Sequence, residues 1–207
     1  MLTMGPYDPP YKSPGAEWFA YHVSKYLDDM VDVIHDVDVP TICGNVKMGF
    51  VLTREDRRIG IEVGGDRFMV EFTDEMRDAL ILGTGAVDVI YHLRGPKLRE
   101  RMEDVLYILL QVEPRFFSQR GAKNLERLVD PEIRKQSWSR EDRFLDFQDF
   151  SGQDYLTSGL QRHSWEVIPK RHNCFREFYA FALDNPGSEL DEIIRKWMKQ
   201  SQEFDDF

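Results

Sequence analysis

The chain has 207 residues, of which 42% are hydrophobic and 31% are charged, as in an ordinary soluble globular protein. Its formal net charge of −10 repels the phosphate backbone, which disfavours sequence-independent binding of DNA or RNA by the chain as a whole. The sequence contains no apolar stretch of about 18 residues, so it predicts no membrane span. The first residues lack the pattern of a secretory signal, and Cys43 and Cys174 lack metal-type spacing. We therefore expect a cytoplasmic protein with buried thiols.

The N-terminal region predicts an arm followed by a helix. Residues 1–12 are rich in proline and predict an extended arm. Ser13 and Pro14 then have the residue types of a helix N-cap and of the first helical position. Apolar residues recur at helical spacing, so we expect the helix to reach about His35. The recurring residues are Phe19, Val23, Tyr26, Leu27, Met30 and Ile34.

The clearest pattern in the chain is the hairpin predicted for residues 45–65, NVKMGFVLTREDRRIGIEVGG. Apolar and other side chains alternate with a period of two, as they do on a strand with one buried face. The apolar positions are Met48, Phe50, Leu52, Ile59, Ile61 and Val63. We expect all six on one buried side of the sheet, because a slip of one residue would expose them.

The opposite face of this hairpin combines charged residues with glycines. A two-residue turn at 55–56 would place Gly49 across from Glu62 and Lys47 across from Gly64. Side chains that lie directly opposite each other are about 4.5–5.5 Å apart at Cβ. Two groups at that spacing can share a metal ion or a phosphate, so the hairpin is where we expect a functional site.

The later elements predict an α/β fold with a mixed central sheet flanked by helices. The expected elements are a strand over 67–72, a helix from Thr73 or Asp74 to Leu82, a strand over 86–93, a helix from Gly95, and helices over 121–129, 176–183 and 188–200. Residues 138–159 show no clear period. We expect an arm over 1–12, a core over 13–129 and a mainly helical C-terminal extension over 130–207.

The expected order of helix, three-stranded meander, helix, strand and helix resembles the core of the PD-(D/E)XK restriction-endonuclease-like superfamily. Within that superfamily it looks most like the very-short-patch-repair-endonuclease-like branch. The likeness covers about residues 13–112 and depends on short motifs. These motifs are PGAEWF at 14–19, IEVGG at 61–65, MRDAL at 76–80 and VIY at 89–91.

The resemblance implies a metal site built from strand carboxylates. In such a site two acids hold Mg²⁺, which stabilises the attacked phosphate and lowers the pKa of a bound water. Glu62 matches the second strand acid, and Glu17 matches an acid that the first helix often supplies. Gly49 stands at the place of the first strand acid, and Gly64 stands at the place of the basic partner.

Two further residues complete the candidate site. Lys47, expected across from Gly64, would bring its ammonium group close to the lost basic position, where it could activate a nucleophile. Asp66 would add a second carboxylate beside Glu62 for a metal ion.

Three functions follow from these expectations. The favoured one is a non-catalytic nuclease-like binding or scaffold protein of unknown partner, without a cofactor. The second is a Mg²⁺-dependent DNA endonuclease with a rearranged active site, which would use Glu17, Glu62, Asp66 and Lys47. The third is an unrelated α/β protein-interaction domain. Residues 94–143 hold twelve basic and nine acidic residues, which favours weak DNA binding there, whereas the acidic remainder favours a protein partner.

Overall fold

The computed structural model describes residues 7, 9–64, 72–95, 98–149, 156–165 and 174–205. The described strands form one six-stranded mixed sheet in the order β1-β2-β3-β4-β6-β5. The strands are β1 (Asp32–Thr41), β2 (Gly44–Arg54), β3 (Arg57–Val63), β4 (Val89–Arg94), β5 (Phe144–Asp149) and β6 (Leu156–His163). The helices are α1 (Pro14–Val23), α2 (Phe72–Gly83), α3 (Met102–Val112), α4 (Gln119–Leu128), α5 (Pro131–Arg134), α6 (Cys174–Asp184) and α7 (Leu190–Asp205). The predicted α/β class is confirmed.

Two apolar cores cover the two faces of the sheet. The α1–α3 core packs α1, α3 and α4 against the central strands and includes Ile61 and Leu106. The α2–α6 core packs α2, α6 and α7 against the other face and includes Leu80 and Ile90. Neighbouring residues of one strand alternate between the cores, as Ile90 and Tyr91 do. Among the described residues, no helix combines the length and the apolar character that crossing a bilayer requires.

The predicted hairpin register is confirmed. Leu52 pairs with Ile59 and Phe50 pairs with Ile61 in the antiparallel ladder between β2 and β3. Five of the six expected apolar residues are fully buried, and Val63 is half-buried against the α1–α3 core. The α2 crossover then makes β4 parallel to β3, as a helical connection allows.

One part of the hairpin prediction is wrong, because Met48 packs on the opposite face from Phe50. Met48 joins the α2–α6 core, whereas Phe50 belongs to the α1–α3 core. The change of face coincides with Asp36 of β1, whose φ of 54° is left-handed. On β1, Val33 and Val37 change cores across the same point. A left-handed residue interrupts the alternation of a strand, so a strict period of two fails there.

The expected length of the first helix is also wrong. Ser13 caps α1 by accepting a hydrogen bond from the Ala16 amide, as predicted, but the helix ends at Val23. Residues 32–41 form the edge strand β1 instead. The helical spacing was misleading, because two of the residues that defined it, Met30 and Ile34, are largely exposed. The β-branched run around Ile34 favours a strand, and pairing with β2 satisfies its backbone groups.

The three-stranded meander is present with different members. Its strands are β1, β2 and β3, so the order helix, meander, helix, strand and helix holds from α1 to α3. The third strand predicted for 67–72 falls mostly outside the described residues, and Phe72 is the first residue of α2. Asp66 also lies outside the described residues. The helix expected from Gly95 begins at Met102.

The C-terminal extension supplies two strands besides its helices. β6 pairs antiparallel with β4, and β5 pairs with β6, so residues beyond 130 complete the central sheet. The predicted pattern missed these strands because β6 carries buried polar side chains in place of an apolar alternation. The buried polar residues are Ser158, Gln161, Arg162 and His163.

Gly121 lies where α4 contacts the backbone after α1. The Ser118 amide donates to the Tyr26 carbonyl at 3.0 Å, which brings the two segments together. A Cβ at Gly121 would overlap the Tyr26 carbonyl oxygen. We expect Gly121→Ala to lower the free energy of unfolding by about 1–3 kcal/mol, because the backbone must shift to accept the methyl group. Urea denaturation measures the change.

The matched control is Gly15→Ala in α1. Its Cβ would meet Val63 Cγ1 at 3.3 Å, a side-chain atom that can yield. We expect a change within about 0.5 kcal/mol. Equal losses in both variants would contradict the close approach at Gly121.

Candidate functional site

Glu62 lies on β3 and is held from two sides. The Gly49 amide donates a hydrogen bond to its Oε1 at 3.0 Å, and Nη2 of Arg77 on α2 forms an ion pair with the same oxygen. A Cβ at Gly49 would lie 2.9 Å from the Ile61 carbonyl and 3.1 Å from Glu62 Oε2. Glycine at 49 therefore allows the Glu62 carboxylate to lie against the backbone of β2.

The pKa of Glu62 reflects opposing effects of burial and of its partners. Burial raises the pKa of Glu62 above its ordinary value, although the charge of Arg77 and the Gly49 hydrogen bond act in the opposite direction. The Glu62 side chain is 19% exposed and the Arg77 side chain is 22% exposed. The counter-charge that a partly buried carboxylate requires is thus supplied by the protein itself.

A cavity of about 210 Å³ opens beside this pair, and we call it the Glu62 cavity. It is bordered by Glu62, Arg77, Asp36 and Lys47. The register of β1 with β2 places Asp36 beside Gly49, between two paired positions. Two carboxylates therefore border one cavity. Asp36 forms an ion pair with Lys12 at 2.7 Å, and the hydrogen bond from Lys12 lowers the pKa of Asp36.

Lys47 borders the same cavity but has another partner. Its Nζ lies 2.5 Å from a carboxylate oxygen of Asp38 on β1, and its side chain is 60% exposed. The paired part of the ladder between β2 and β3 ends at Phe50 and Ile61, so Lys47 lies beyond it. The structure thus pairs the ammonium of Lys47 with β1 and not with the position of Gly64.

Glu17, which the resemblance groups with Glu62 in one candidate site, is not among the residues that border the Glu62 cavity. Glu17 lines a separate cavity of about 590 Å³ with Trp18 and Arg99, and it accepts a hydrogen bond from the Tyr7 hydroxyl at 3.0 Å. Ala16 is the α1 residue that reaches the Glu62 cavity. Successive residues of a helix point about 100° apart, so one step along α1 turns Glu17 away.

A second polar cluster lies behind Arg77, and the sequence did not predict it. Asp78 of α2 is completely buried and accepts hydrogen bonds from two histidines. Its Oδ2 lies 2.5 Å from His92 Nε2 on β4 and 2.6 Å from His163 Nδ1 on β6. Arg77 Nη2 stands 3.8 Å from Asp78 Oδ1 and so links this cluster to Glu62.

The cluster is strongly polarised. Burial alone would raise the pKa of Asp78, but the charge of His92 and the hydrogen bonds from both histidines hold it well below its ordinary value. Burial alone would lower the pKa of His92, and Asp78 reverses this, so the net direction is upward. The buried carboxylate of Asp78 therefore stabilises a positive charge beside it.

Sequence spacing held no signal for this cluster. His92 and His163 are 14 and 85 residues from Asp78 along the chain. Metal motifs are recognised by short fixed spacings, and here only the pairing of β4 with β6 brings the two histidines together. A histidine in the middle of an otherwise apolar strand was the weak hint available at His92.

Several basic residues of 94–143 form ion pairs within the protein. Five of its arginines are ion-paired with carboxylates, which reduces the positive charge offered to a partner. The pairs are Arg94 with Asp146, Arg101 with Asp104, Arg115 with Asp56, Arg140 with Glu113 and Arg143 with Glu75. Arg99 is exposed, and its guanidinium lies 4.7 Å from the Trp18 ring centroid.

Comparison of the chain with protein-family models, with curated proteins and with solved structures found no match.

Proposed function

We propose that this chain is a non-catalytic nuclease-like binding or scaffold protein. The observation that carries the proposal is the ion pair between Arg77 and Glu62, the acid to which the resemblance assigns a metal ion. A guanidinium and a Mg²⁺ ion compete for the same carboxylate charge. Mg²⁺ also requires oxygen ligands in a nearly octahedral shell, whereas Gly49 offers an N–H donor there.

A protein partner fits the charge distribution better than a nucleic acid does. The chain carries a net charge of −10. In residues 94–143, the region with the most positive balance, many arginines form ion pairs with carboxylates of the same protein. Nucleic-acid affinity depends on cations that can neutralise phosphates. A cytoplasmic location remains part of this proposal.

The first experiment measures cleavage. We expect purified protein to leave supercoiled plasmid and single-stranded DNA intact in Mg²⁺ or Mn²⁺, because Glu62 is neutralised by Arg77 and Gly49 supplies no ligand side chain. Cleavage that disappears in Glu62→Gln would overturn the proposal. Cleavage that persists in that variant would be traced to a contaminant by repeating the assay on fractions across the chromatographic peak.

The second experiment measures DNA binding. We expect weak affinity for duplex DNA that falls steeply between about 50 and 200 mM salt, because only screened surface contacts are available. Arg99→Glu should weaken it further, and Lys196→Glu on α7 should not. Tight binding that salt leaves unchanged, measured by fluorescence anisotropy, would contradict this prediction.

One observation favours the alternative of a metal-dependent endonuclease with a rearranged site. Asp36 borders the same cavity as Glu62 and lies on the strand next to Gly49. It would replace the missing strand acid from a neighbouring strand, with Mg²⁺ held by both carboxylates. Under this alternative, cleavage is observed and is lost in Asp36→Asn as well as in Glu62→Gln. The proposed function requires no cleavage in any of the three proteins.

A further inference from the structure

The strongest unassigned feature is the buried cluster of Asp78, His92 and His163. Each residue offers one ligand atom, and these atoms lie within 4.8 Å of one another. All three side chains are buried, and Asp78 Oδ1 has no hydrogen-bond partner among the described residues. Two imidazoles and a carboxylate thus meet at one buried point. The burial of such polar groups costs free energy unless specific partners satisfy them.

The residue types are those that bind divalent transition metals. Imidazole nitrogens suit zinc and its first-row neighbours, and catalytic zinc sites commonly use three protein ligands and leave the fourth position to water. A carboxylate with two imidazoles makes such a three-ligand set. Mg²⁺ prefers oxygen ligands, so this cluster favours Zn²⁺ over Mg²⁺.

The distances permit a metal ion after a small movement. With bonds of about 2.0–2.2 Å, tetrahedral ligands stand about 3.3 Å apart. Asp78 Oδ2 is 2.5 Å from one imidazole nitrogen and 2.6 Å from the other, with a proton between each pair. A cation at this point requires both separations to increase by about 1 Å and the two imidazole nitrogens, which lie within 4.8 Å of each other, to reach a similar spacing. The proton on each of these nitrogens moves to the other nitrogen of the same ring or, from an imidazolium, is released.

The surroundings orient the ligands. Asp78 comes from α2, His92 from β4 and His163 from β6, so three packed elements position the three groups. The amide of Gln161 lies 2.9 Å from Nε2 of His163, the nitrogen that faces away from Asp78. This contact is made by the amide nitrogen, which donates to Nε2 while the imidazole proton is on Nδ1. A metal ion on Nδ1 would place that proton on Nε2, and the amide would then turn so that its oxygen accepts it.

The charge of the neighbourhood supports a cation. Three carboxylates, those of Glu62, Asp74 and Asp78, lie within ion-pair distance of one guanidinium, that of Arg77, so negative charge exceeds the fixed positive charge there. A divalent ion at the histidines would offset this charge. Arg77 is turned to Glu62 and stays 3.8 Å from Asp78, so it does not occupy the place between the imidazoles.

We propose that Asp78, His92 and His163 form a binding site for one divalent transition-metal ion of the Zn²⁺ class, which ties α2 to β4 and β6. The site is separate from the Glu62 cavity and stands whether or not the proposed non-catalytic function holds.

The test titrates metal-free full-length protein with Zn²⁺ by calorimetry and with Co²⁺ by visible absorption. We expect one ion per chain, a rise in Tm with Zn²⁺, and the intense visible bands of four-coordinate Co²⁺. His92→Gln and His163→Gln should each weaken binding by more than about 100-fold, because loss of an outer-shell partner alone costs about 10–100-fold. His22→Gln is the matched control, since His22 is a buried histidine bonded to a different acid, Glu103, at 2.7 Å.

A variant that keeps a metal ligand at position 163 tests the proposal even if a glutamine variant fails to fold. His163→Cys retains a ligand atom, so it should still bind Co²⁺ and add a thiolate-to-cobalt charge-transfer band in the near ultraviolet. Absence of stoichiometric binding by the unaltered protein would overturn the proposal. Binding that is unchanged in folded His92→Gln and His163→Gln, or a cysteine variant that binds without the new band, would overturn it as well.

Discussion

Asp78→Ala is expected to lower the free energy of unfolding by about 3–5 kcal/mol in metal-free buffer, the range found when one partner of a buried ionic network is removed. Asp78 accepts hydrogen bonds from His92 and His163 and is completely buried. Its loss leaves two buried imidazoles without their shared acceptor and opens a cavity under α2. Urea denaturation in the presence of a chelator measures the change.

The control for this prediction is Asp38→Ala. Asp38 forms an ion pair with Lys47, but both side chains are more than half exposed, and such pairs contribute about 0–1 kcal/mol. The two variants remove the same side chain from opposite environments. Equal losses would show that the buried cluster does not contribute more than a surface pair.

Glu113→Ala is the second substitution with a large expected effect, again about 3–5 kcal/mol. Glu113 has no exposed surface and follows α3. Its Oε1 accepts hydrogen bonds from Arg57 at 2.6 Å and from the Tyr91 hydroxyl at 3.0 Å, and its Oε2 accepts one from Arg140 at 3.1 Å. Removal leaves cations from β3 and from the segment before β5 without their common counter-charge.

Two further proteins sharpen this test. Glu132→Ala removes an exposed acid that pairs with Lys135 and should change stability by less than about 1 kcal/mol. The double variant Glu113→Leu with Arg57→Met replaces the two more buried charges by apolar groups and leaves Arg140, whose side chain is 49% exposed, to water. It should recover much of the loss, since apolar replacement of buried pairs is often neutral. A double variant as unstable as Glu113→Ala would contradict the view that an uncompensated charge is the cause.

The elements that the sequence predicted well are those whose determinants are local. Alternation around Leu52 and Ile59 specifies the hairpin register, because side chains on a strand face opposite sides in turn. Ser13 caps α1 as predicted, because a cap depends on the hydroxyl and the amides of the next turn. Where the local pattern was ambiguous, as at Ile34, pairing with a neighbouring strand decided the structure.

The candidate site was predictable only in part. Glu62 and Gly49 are neighbours because the hairpin places them so, and the sequence contains that hairpin. Arg77 reaches Glu62 from another element, and Glu17 turns away because the phase of α1 against the sheet depends on packing. Neither fact is encoded in spacing along the chain.

By itself, the sequence determined the α/β class, the cap of α1, the hairpin and the glycine beside Glu62. The tertiary structure alone decided that the meander consists of β1–β3, that β5 and β6 complete the sheet, and that Asp78 joins His92 with His163. The physical reason is the distance along the chain between the residues that interact. Caps, turns and alternation depend on neighbours a few residues apart, whereas strand order and buried polar clusters depend on which distant surfaces pack together.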